Sequence, residues 1–545
     1  MGRLLASSYD RLSDTNHEGL VLYSTPASPC VRRVIITLLE KRLDFDWVDV
    51  DLANMEQRSA DYLALNPNGF VPALCHGDQV IFESAVINQY LEEQFPVRRL
   101  MPKDPYLLAQ VQMWMAKEGA MAKLFRPMMY HRLGAPVTHI TRTAAEAEQI
   151  SRRYTSDPAD LAWEHKIWSM QVLSAQEEAD IERRLIDWLD QVDRALQGKR
   201  YLVGDAFSQA DIALYPRVTM LPMLGIAITQ ARYPNLYIWM SNLEHHSSFE
   251  KSLSEQSRKL QAIARSPILV KVKGALSKSR KDRSLLDRCT IYLAGKILRK
   301  VMKVDSLLTA TVEPRELPVF SNITPVLPRE IGSNSLSNNR ELLLYVDRLS
   351  SESRRIEMLL RQLQLPYRSI TLTDINQSPL NRIDALNCAS TLPVLNHGSR
   401  WISDGSAISE YLISSFSKAG CWMPTNTVER ASYRMWLALE TGTHKEITPL
   451  LDRYLYKKSN PSAFISTEKN ALTRVYRQLK RLEKQLRNSR FLLGERVQFV
   501  DIAWYTQLQN LNHVPNFSLV EFCSVSKWLS RVKAEMKPEM SVESE

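Results

Sequence analysis

Ser28-Pro29-Cys30 sets a hydroxyl and a thiol at the start of an apolar helix, within LYSTPASPCVRRVIITLLEK from Leu22. A helix N-terminus presents unpaired amides and the positive end of the peptide dipole, so it stabilises a negative charge placed there. A serine hydroxyl adds a hydrogen-bond donor, and a cysteine so placed can ionise and exchange with disulfides. Each also has a purely structural reading, Ser28 as the helix cap and Cys30 as part of the helix packing. Pro29 suits the first turn, where its missing N–H costs nothing. Glu83-Ser84 repeats the arrangement, an acid and a hydroxyl where a strand gives way to a helix. Ser208-Gln209-Ala210-Asp211 is a capping box, a folding element without chemistry of its own.

The elements around these residues occur twice. LYSTPASPCVRRVIITLLEK lies without gaps on LYVDRLSSESRRIEMLLRQL from Leu344; VPALCHGDQVIFESAVINQYLEEQF matches LPVLNHGSRWISDGSAISEYLISSF; YLVGDAFSQADIALY matches FLLGERVQFVDIAWY. Three blocks in the same order imply duplication of a domain of roughly 200 residues, far above a solenoid period. In the first copy Leu20–Tyr23 reads as a buried strand, and Val31, Ile35, Leu38 and Leu39 form one helix face. Phe45–Val50 alternates as a second strand. Ala73–Cys75 and Val80–Phe82 read as a hairpin turned by His76-Gly77-Asp78, and a helix starts near Ser84. From Pro105 to about Ala264 the pattern is helical throughout.

Composition agrees with a folded, multidomain chain: 545 residues, 44% hydrophobic and 24% charged. The first twenty residues lack the apolar core of a signal peptide, and no apolar run approaches a membrane span. Six cysteines without paired spacing make neither a disulfide framework nor a metal site. A reduced, cytoplasmic setting and no metal are therefore expected. The net charge of +10 would suit nucleic acid. However, residues 265–303 hold twelve Lys or Arg against Asp282 and Asp287, so the excess describes a connector, and no nucleic-acid partner is expected.

LYSTPASPCVRRV, NPNGFVPAL and FESAVINQYLEEQFP together resemble the thioredoxin-like half of glutathione S-transferases, and GDAFSQADIAL resembles the capping-box segment of their helical half. The first copy is similar to plant phi-type enzymes and to bacterial dehalogenase and β-etherase relatives. The resemblance implies an α/β plus all-α fold class, with two copies of a thioredoxin-like α/β domain, each followed by an all-helical domain. The corresponding ranges are 19–97 and 104–264, a basic and Pro/Ser-rich connector at 265–339, then 340–418 and 426–535. It also implies a reaction. Glutathione, as co-substrate, is held with its sulfur ionised to attack a hydrophobic electrophile. A free thiol near pKa 8.5 is only a few per cent ionised at neutral pH, and lowering it two units takes about 2.7 kcal/mol.

On this resemblance Ser28 is the activating hydroxyl, with Cys30 the alternative as a thiol oxidoreductase. Val71-Pro72 is a cis-proline turn whose Val71 backbone pairs with the cysteinyl portion of glutathione. Glu83 and Ser84 hold the γ-glutamyl end, and Gln57 and Arg58 the glycine carboxylate. Trp114, Met121, Phe125 and Tyr130, with Met115 and Met128 nearby, line the acceptor pocket, although Met and aromatic residues at helical spacing are usually core. The insertion His131–Trp168 is long enough to cover that pocket.

The second copy keeps Ser350 and Leu392-Pro393, but has Asp404-Gly405 for Glu83-Ser84, Ser378-Pro379 for Gln57-Arg58, Gln498 for Ser208, and Arg348 and Ser351 for Pro26 and Pro29. It is expected to bind glutathione poorly and to act as a dimer-like partner within one chain, with further association left open. Leu285, Ile291, Ile297, Leu298 and Met302 would give the connector an amphipathic face for anionic lipid or acidic partners; docking on its own domain with a solvated basic side is the simpler reading. A non-catalytic module using the fold for protein or membrane association is the alternative to an enzyme.

Overall fold

The computed structural model describes residues 19–25, 28–52, 55–66, 68–77, 79–154, 158–253, 284–301, 342–347, 349–371, 392–454, 464–515 and 517–536, with isolated positions between. Pro26, Pro67, Asp78, Met302, Arg348, Ser378-Pro379 and most of the connector lie outside them. The chain divides into two compact units, Met1–Leu100 with Trp114–Thr324 and Met101–Met113 with Pro325–Glu545.

In the first unit the alternating and fully apolar runs become β1 (Leu20–Ser24), β2 (Asp46–Asp49), β3 (Ala73–His76) and β4 (Gln79–Phe82), ordered β2-β1-β3-β4. β1 runs parallel to β2 and antiparallel to β3, and β3 and β4 form a hairpin. The helices α1 (Pro29–Glu40), α2 (Ala60–Leu65) and α3 (Ser84–Gln94) complete the thioredoxin-like half. The apolar face expected on α1 is buried, and so are Val34, Ile36, Thr37, Arg32 and Arg33. Both arginines leave α1 to hold the helical half. Arg32 donates to Ser252 Oγ at 2.9 Å and Thr219 Oγ1 at 3.1 Å, and Arg33 pairs with Glu118 at 2.8 Å.

The helical half follows as α4 (Pro105–Met129), α5 (Ala135–Thr141), α6 (Ala144–Tyr154), α7 (Pro158–Trp168), α8 (Ala175–Ala195), α9 (Gln209–Val218), α10 (Pro234–Glu244) and α11 (Ser247–Lys251). A π-helical turn, Tyr130–Gly134, joins α4 to α5, so the insertion begins where α4 changes pitch. The capping box forms around α9, with Asp211 also accepting from Trp239 Nε1 at 2.8 Å and Leu202 N at 3.1 Å. Part of the connector is helical as α12 (Leu285–Val301).

The second unit repeats the plan. β5 (Leu342–Val346), β6 (Tyr367–Thr371), β7 (Val394–His397) and β8 (Arg400–Ser403) are ordered β6-β5-β7-β8. They carry α13 (Ser351–Gln362) and α14 (Gly405–Phe416), then α15 (Thr427–Tyr454), α16 (Phe464–Leu486), α17 (Phe499–Leu511) and α18 (Cys523–Glu535). Asp501 accepts from Gln498 N at 3.0 Å and Trp528 Nε1 at 2.9 Å, which reproduces the Asp211 hub. Gln498 Oε1 is buried without a partner, so the carboxylate half of the box survives and the side-chain cap does not. The repeated His-Gly and Tyr of the sequence blocks are structural. His76 Nδ1 meets Tyr90 OH at 2.7 Å, and His397 Nδ1 meets Tyr411 OH at 2.7 Å.

Candidate functional site

Strand register decides which segments of the first copy come together. Tyr23 lies beside Ala73, and Ala73 beside Phe82. The chain after β1, before β3 and after β4 therefore leaves from one end of the sheet. β2 is parallel to β1, with Ser24 beside Asp49, so the chain leading to Gln57 and Arg58 emerges there too. Residues separated by up to 56 positions, Ser28, Val71-Pro72 and Glu83-Ser84 among them, are brought to one end of the sheet.

Ser28 takes extended backbone, φ −82° and ψ 125°, and its Oγ accepts from Val31 N at 3.4 Å. The capping role is thus present. A hydroxyl that accepts through a lone pair still has its hydrogen to donate. Capping and anion stabilisation are therefore compatible in one side chain.

Val71-Pro72 is cis. The loop before it is pinned at its carbonyl: Tyr62 OH and Asn66 Nδ2 both donate to Phe70 O at 2.7 Å. Asn68 Nδ2 then donates to Glu83 Oε1 at 3.0 Å, tying this loop to the start of α3. Glu83 sits at φ 66°, a positive-φ conformation that costs a non-glycine residue of order 1–3 kcal/mol, and Asp404 shares it in the second copy at φ 76°. Ser84 is buried, and among the described residues no side chain caps the first turn of α3. Its amides stand ready for an anionic group.

Gln57 and Arg58 lie on a single 3-10 turn, Glu56–Arg58. Gln57 Oε1 is buried without a hydrogen-bond partner. Arg58 packs over the Phe70 ring at 5.7 Å and against Gly69, which combines φ +63° with an approach that would leave a Cβ 3.1 Å from Arg58 Nη1. The insertion reaches this arginine: Asp160 Oδ2, on α7, is 3.4 Å from Arg58 Nη1. Burial pushes the nearby Glu164 carboxyl above its ordinary value and Asp160 adds to this, while Arg58 and Arg126 oppose it.

Beneath the start of α1 is a buried ion cluster that sequence inspection did not single out. Glu118 on α4 pairs with Arg33 at 2.8 Å and with Arg217 on α9 at 2.6 Å. Burial works to raise the Glu118 carboxyl, but Arg217 and Arg33 outweigh it and hold it below its ordinary value. Two guanidinium groups on one carboxylate leave net positive charge there. Arg217 Nη2 also donates to Cys30 Sγ at 3.4 Å, which directs that half-buried thiol toward α9. The repeated Arg-Arg pair was the visible signal, because two buried arginines demand a buried acid.

The residues expected to line the acceptor pocket mostly serve the core. Trp114, Met115, Met121, Phe125 and Met128 are buried, and Phe125 lies under the Arg217 guanidinium at 5.4 Å. Tyr130 is half-buried and stands edge-on to Trp163 of α7 at 5.6 Å, with Arg126 over both rings. The insertion thus meets Tyr130 directly.

In the second copy Ser350 caps α13 in the same way, accepting from Ser353 N at 3.4 Å, and Leu392-Pro393 is again cis. The rest differs. Asp404 Oδ1 accepts from Ser406 N at 2.9 Å and Ala407 N at 3.1 Å, so the protein's own carboxylate fills the amides at the start of α14. A Cβ on Gly405 would fall 2.8 Å from Arg355 Nη2, so the guanidinium occupies the space of the first copy's serine side chain. Arg355 pairs with Glu440 at 2.9 Å and Glu352 at 3.4 Å. Glu352 stands where Cys30 stands, and Gln507 where Arg217 stands. One guanidinium now faces three carboxyls. Burial pushes Glu440 up, with Glu352 adding and Arg355 and His444 opposing. Burial and Glu352 push Asp404 up to about 6.

Each copy thus sets two helix starts at one end of a thioredoxin-like sheet, followed by a helical half. Models of the Glutathione S-transferase, N-terminal domain match residues 22–99 and 344–420, and those of the Glutathione S-transferase, C-terminal domain match 164–246 and 455–535. Glutathione S-transferase 3 of Zea mays is 30% identical over 240 residues, 43% of this chain and 93% of that relative. Glutathione S-transferase PARB of Nicotiana tabacum is 27% identical over 238 residues, 43% of this chain and 97% of that relative. The crystal structure of the β-etherase LigF from Sphingobium sp. strain SYK-6 aligns with a TM-score of 0.40 at 25% identity, covering 43% of this chain and 98% of that one. The chain belongs to the glutathione S-transferase family, in a tandem form. Each of these relatives spans under half of its length, as one copy of a duplicated transferase would.

Proposed function

We propose that the first copy binds glutathione and keeps its sulfur ionised for attack on an electrophilic organic substrate, while the second copy does no chemistry. The observation that carries this reading is the pairing of Ser28 with an uncapped α3 start at the same end of the sheet. The residues present fit the tripeptide. Ser84 and the amides of α3 suit its γ-glutamyl carboxylate, and Glu83 suits the ammonium beside it. The Val71 backbone suits its central residue, and the Arg58 guanidinium with the Gln57 side-chain N–H groups suits its glycyl carboxylate.

Ser28 then donates its hydroxyl hydrogen to the sulfur while its oxygen still accepts from Val31 N. The α1 dipole and the positive Arg33–Glu118–Arg217 cluster favour negative charge at the same place. The thiolate's lone pair forms the new carbon–sulfur bond, and the leaving group departs, or the acceptor takes up a proton. The likeness of the family members supports a transferase; the acceptor's identity does not follow from it. The second copy's role is that of a dimer-like partner in the same chain.

Thiol exchange at Cys30 is a second reading, favoured by the Arg217 guanidinium 3.4 Å from its sulfur. One pair of variants separates the two. With a chloronitrobenzene acceptor, Ser28→Ala should abolish most conjugation while glutathione still binds, and Cys30→Ser should leave conjugation near the parent. Loss of activity in Cys30→Ser with retention in Ser28→Ala would reverse the assignment.

A further inference from the structure

Residues 265–303 carry twelve Lys or Arg against two Asp, and α12 is the part of this segment that the structure describes as a continuous helix. One of its faces is settled. Ala294 and Leu298 are buried, and Ile291 packs with Ala294 beside Ile140 of α5. The approach is close, because a Cβ on Gly295 would lie 2.5 Å from Ile140 O. Docking on its own unit is therefore real, but among the described residues the outward side carries large apolar side chains as well as the cations that the simpler reading expects. Leu285 is 79% exposed, Leu286 76%, Tyr292 69%, Leu293 59% and Ile297 46%. The apolar residues foreseen as one face are split: Ile291 and Leu298 point inward, and Leu285 and Ile297 outward.

Arg288 and Lys296 are exposed on the same outward side. The acid of this helix, Asp287, is engaged at its start, accepting from Ser284 N at 2.9 Å. An apolar ridge with Arg288 at one flank and Lys296 within it suits a helix lying in the plane of a bilayer interface, where long cationic side chains reach the headgroups. No helix among the described residues is long and apolar enough to cross a membrane, so contact with one would be at its surface. Charge selects among occupants. A second copy seated on this face would bring the same cations together, and nucleic acid would leave five large apolar side chains unsatisfied. Anionic headgroups over acyl chains meet both needs.

We propose that α12 seats this chain on anionic phospholipid surfaces, with Leu285, Leu286, Tyr292 and Leu293 entering the headgroup region and Arg288 and Lys296 meeting phosphates. The test is co-sedimentation of the full chain with vesicles of equal parts phosphatidylglycerol and phosphatidylcholine, beside pure phosphatidylcholine. The parent should partition at least about tenfold more strongly to the anionic vesicles, and high salt should weaken this. Leu286→Glu with Leu293→Glu should release the protein about tenfold or more. Arg288→Glu with Lys296→Glu should remove the preference for anionic lipid. These side chains point away from the core, so the melting temperature of each variant should match the parent's. No sedimentation with anionic vesicles, or unchanged sedimentation of a well-folded variant, would overturn the proposal. So would a parent that self-associates through this face, shown by a dimer that the leucine variant dissociates.

Discussion

Ser28 and Ser350 hold nearly the same backbone conformation, and each accepts from the amide three residues on at 3.4 Å. What surrounds them differs in sign. Under Ser28 two arginines share Glu118; under Ser350 one arginine is shared among Glu440, Glu352 and, more distantly, Asp404. The carboxyl at the centre responds accordingly, with Glu118 held low and Glu440 pushed up. Ahead of the second helix, the first copy leaves its amides uncapped and the second fills them with Asp404. A hydroxyl in the right place is thus insufficient. On the proposed function, a thiolate site also needs a compatible local charge and an open anion cradle, which the first copy keeps and the second lacks.

The comparison can be broken most forcefully at the buried acids. Glu118→Ala strands two buried guanidinium groups and should cost about 3–5 kcal/mol in denaturant unfolding. Glu440→Ala should cost less, because Arg355 retains Glu352. Equal losses would show that the two clusters do not differ as described. Next, Ser28→Ala should lower turnover about 100- to 1,000-fold, the usual cost of one donor to a developing anion. Ser350→Ala should change it less than about twofold, so a comparable loss there would place chemistry in the second copy.

A smaller effect sharpens the account of the cradle. Glu83→Asp with Ser84→Gly gives the first copy the second copy's plug, and glutathione affinity should fall about 5- to 150-fold. Unchanged affinity would mean that the α3 amides do not hold the ligand. The smallest effect is that of pH. Asp404 has a folded pKa raised to about 6, above the unfolded value near 3.9. Its contribution to stability is therefore greatest below the unfolded value and is lost as pH rises through about 6. Moving from pH 7 to 5 should stabilise the second unit by about 1 kcal/mol through this group. Asp404→Asn should remove that increment in hydrogen exchange at pH 5 and 7, and a variant with the parent's pH dependence would contradict it.

Much of this was legible beforehand because it rests on local rules. Apolar periodicity located the sheet strands and α1, and the Ser-x-x-Asp spacing located the capping box. The three repeated blocks disclosed the duplication. The charge reversal was not legible, because Arg33, Glu118 and Arg217 are separated by 85 and 99 positions and only packing brings them together. Asp404-Gly405 looked like a lost hydroxyl; geometry shows a gained carboxylate that competes for the same amides. Phe125 and Met121 read as pocket residues because helical spacing does not distinguish the core face from a ligand-facing one, and both are buried. Asp160 beside Arg58 could not be foreseen without knowing how α7 folds back.

Isothermal titration of the full chain with glutathione addresses the difference between the copies most directly, since it counts sites without assuming an acceptor. The account predicts one glutathione per chain, with the heat lost in Ser84→Ala and retained in Ser350→Ala. Two equivalent sites per chain, or one site that survives Ser84→Ala and disappears with a change in the second copy, would contradict it.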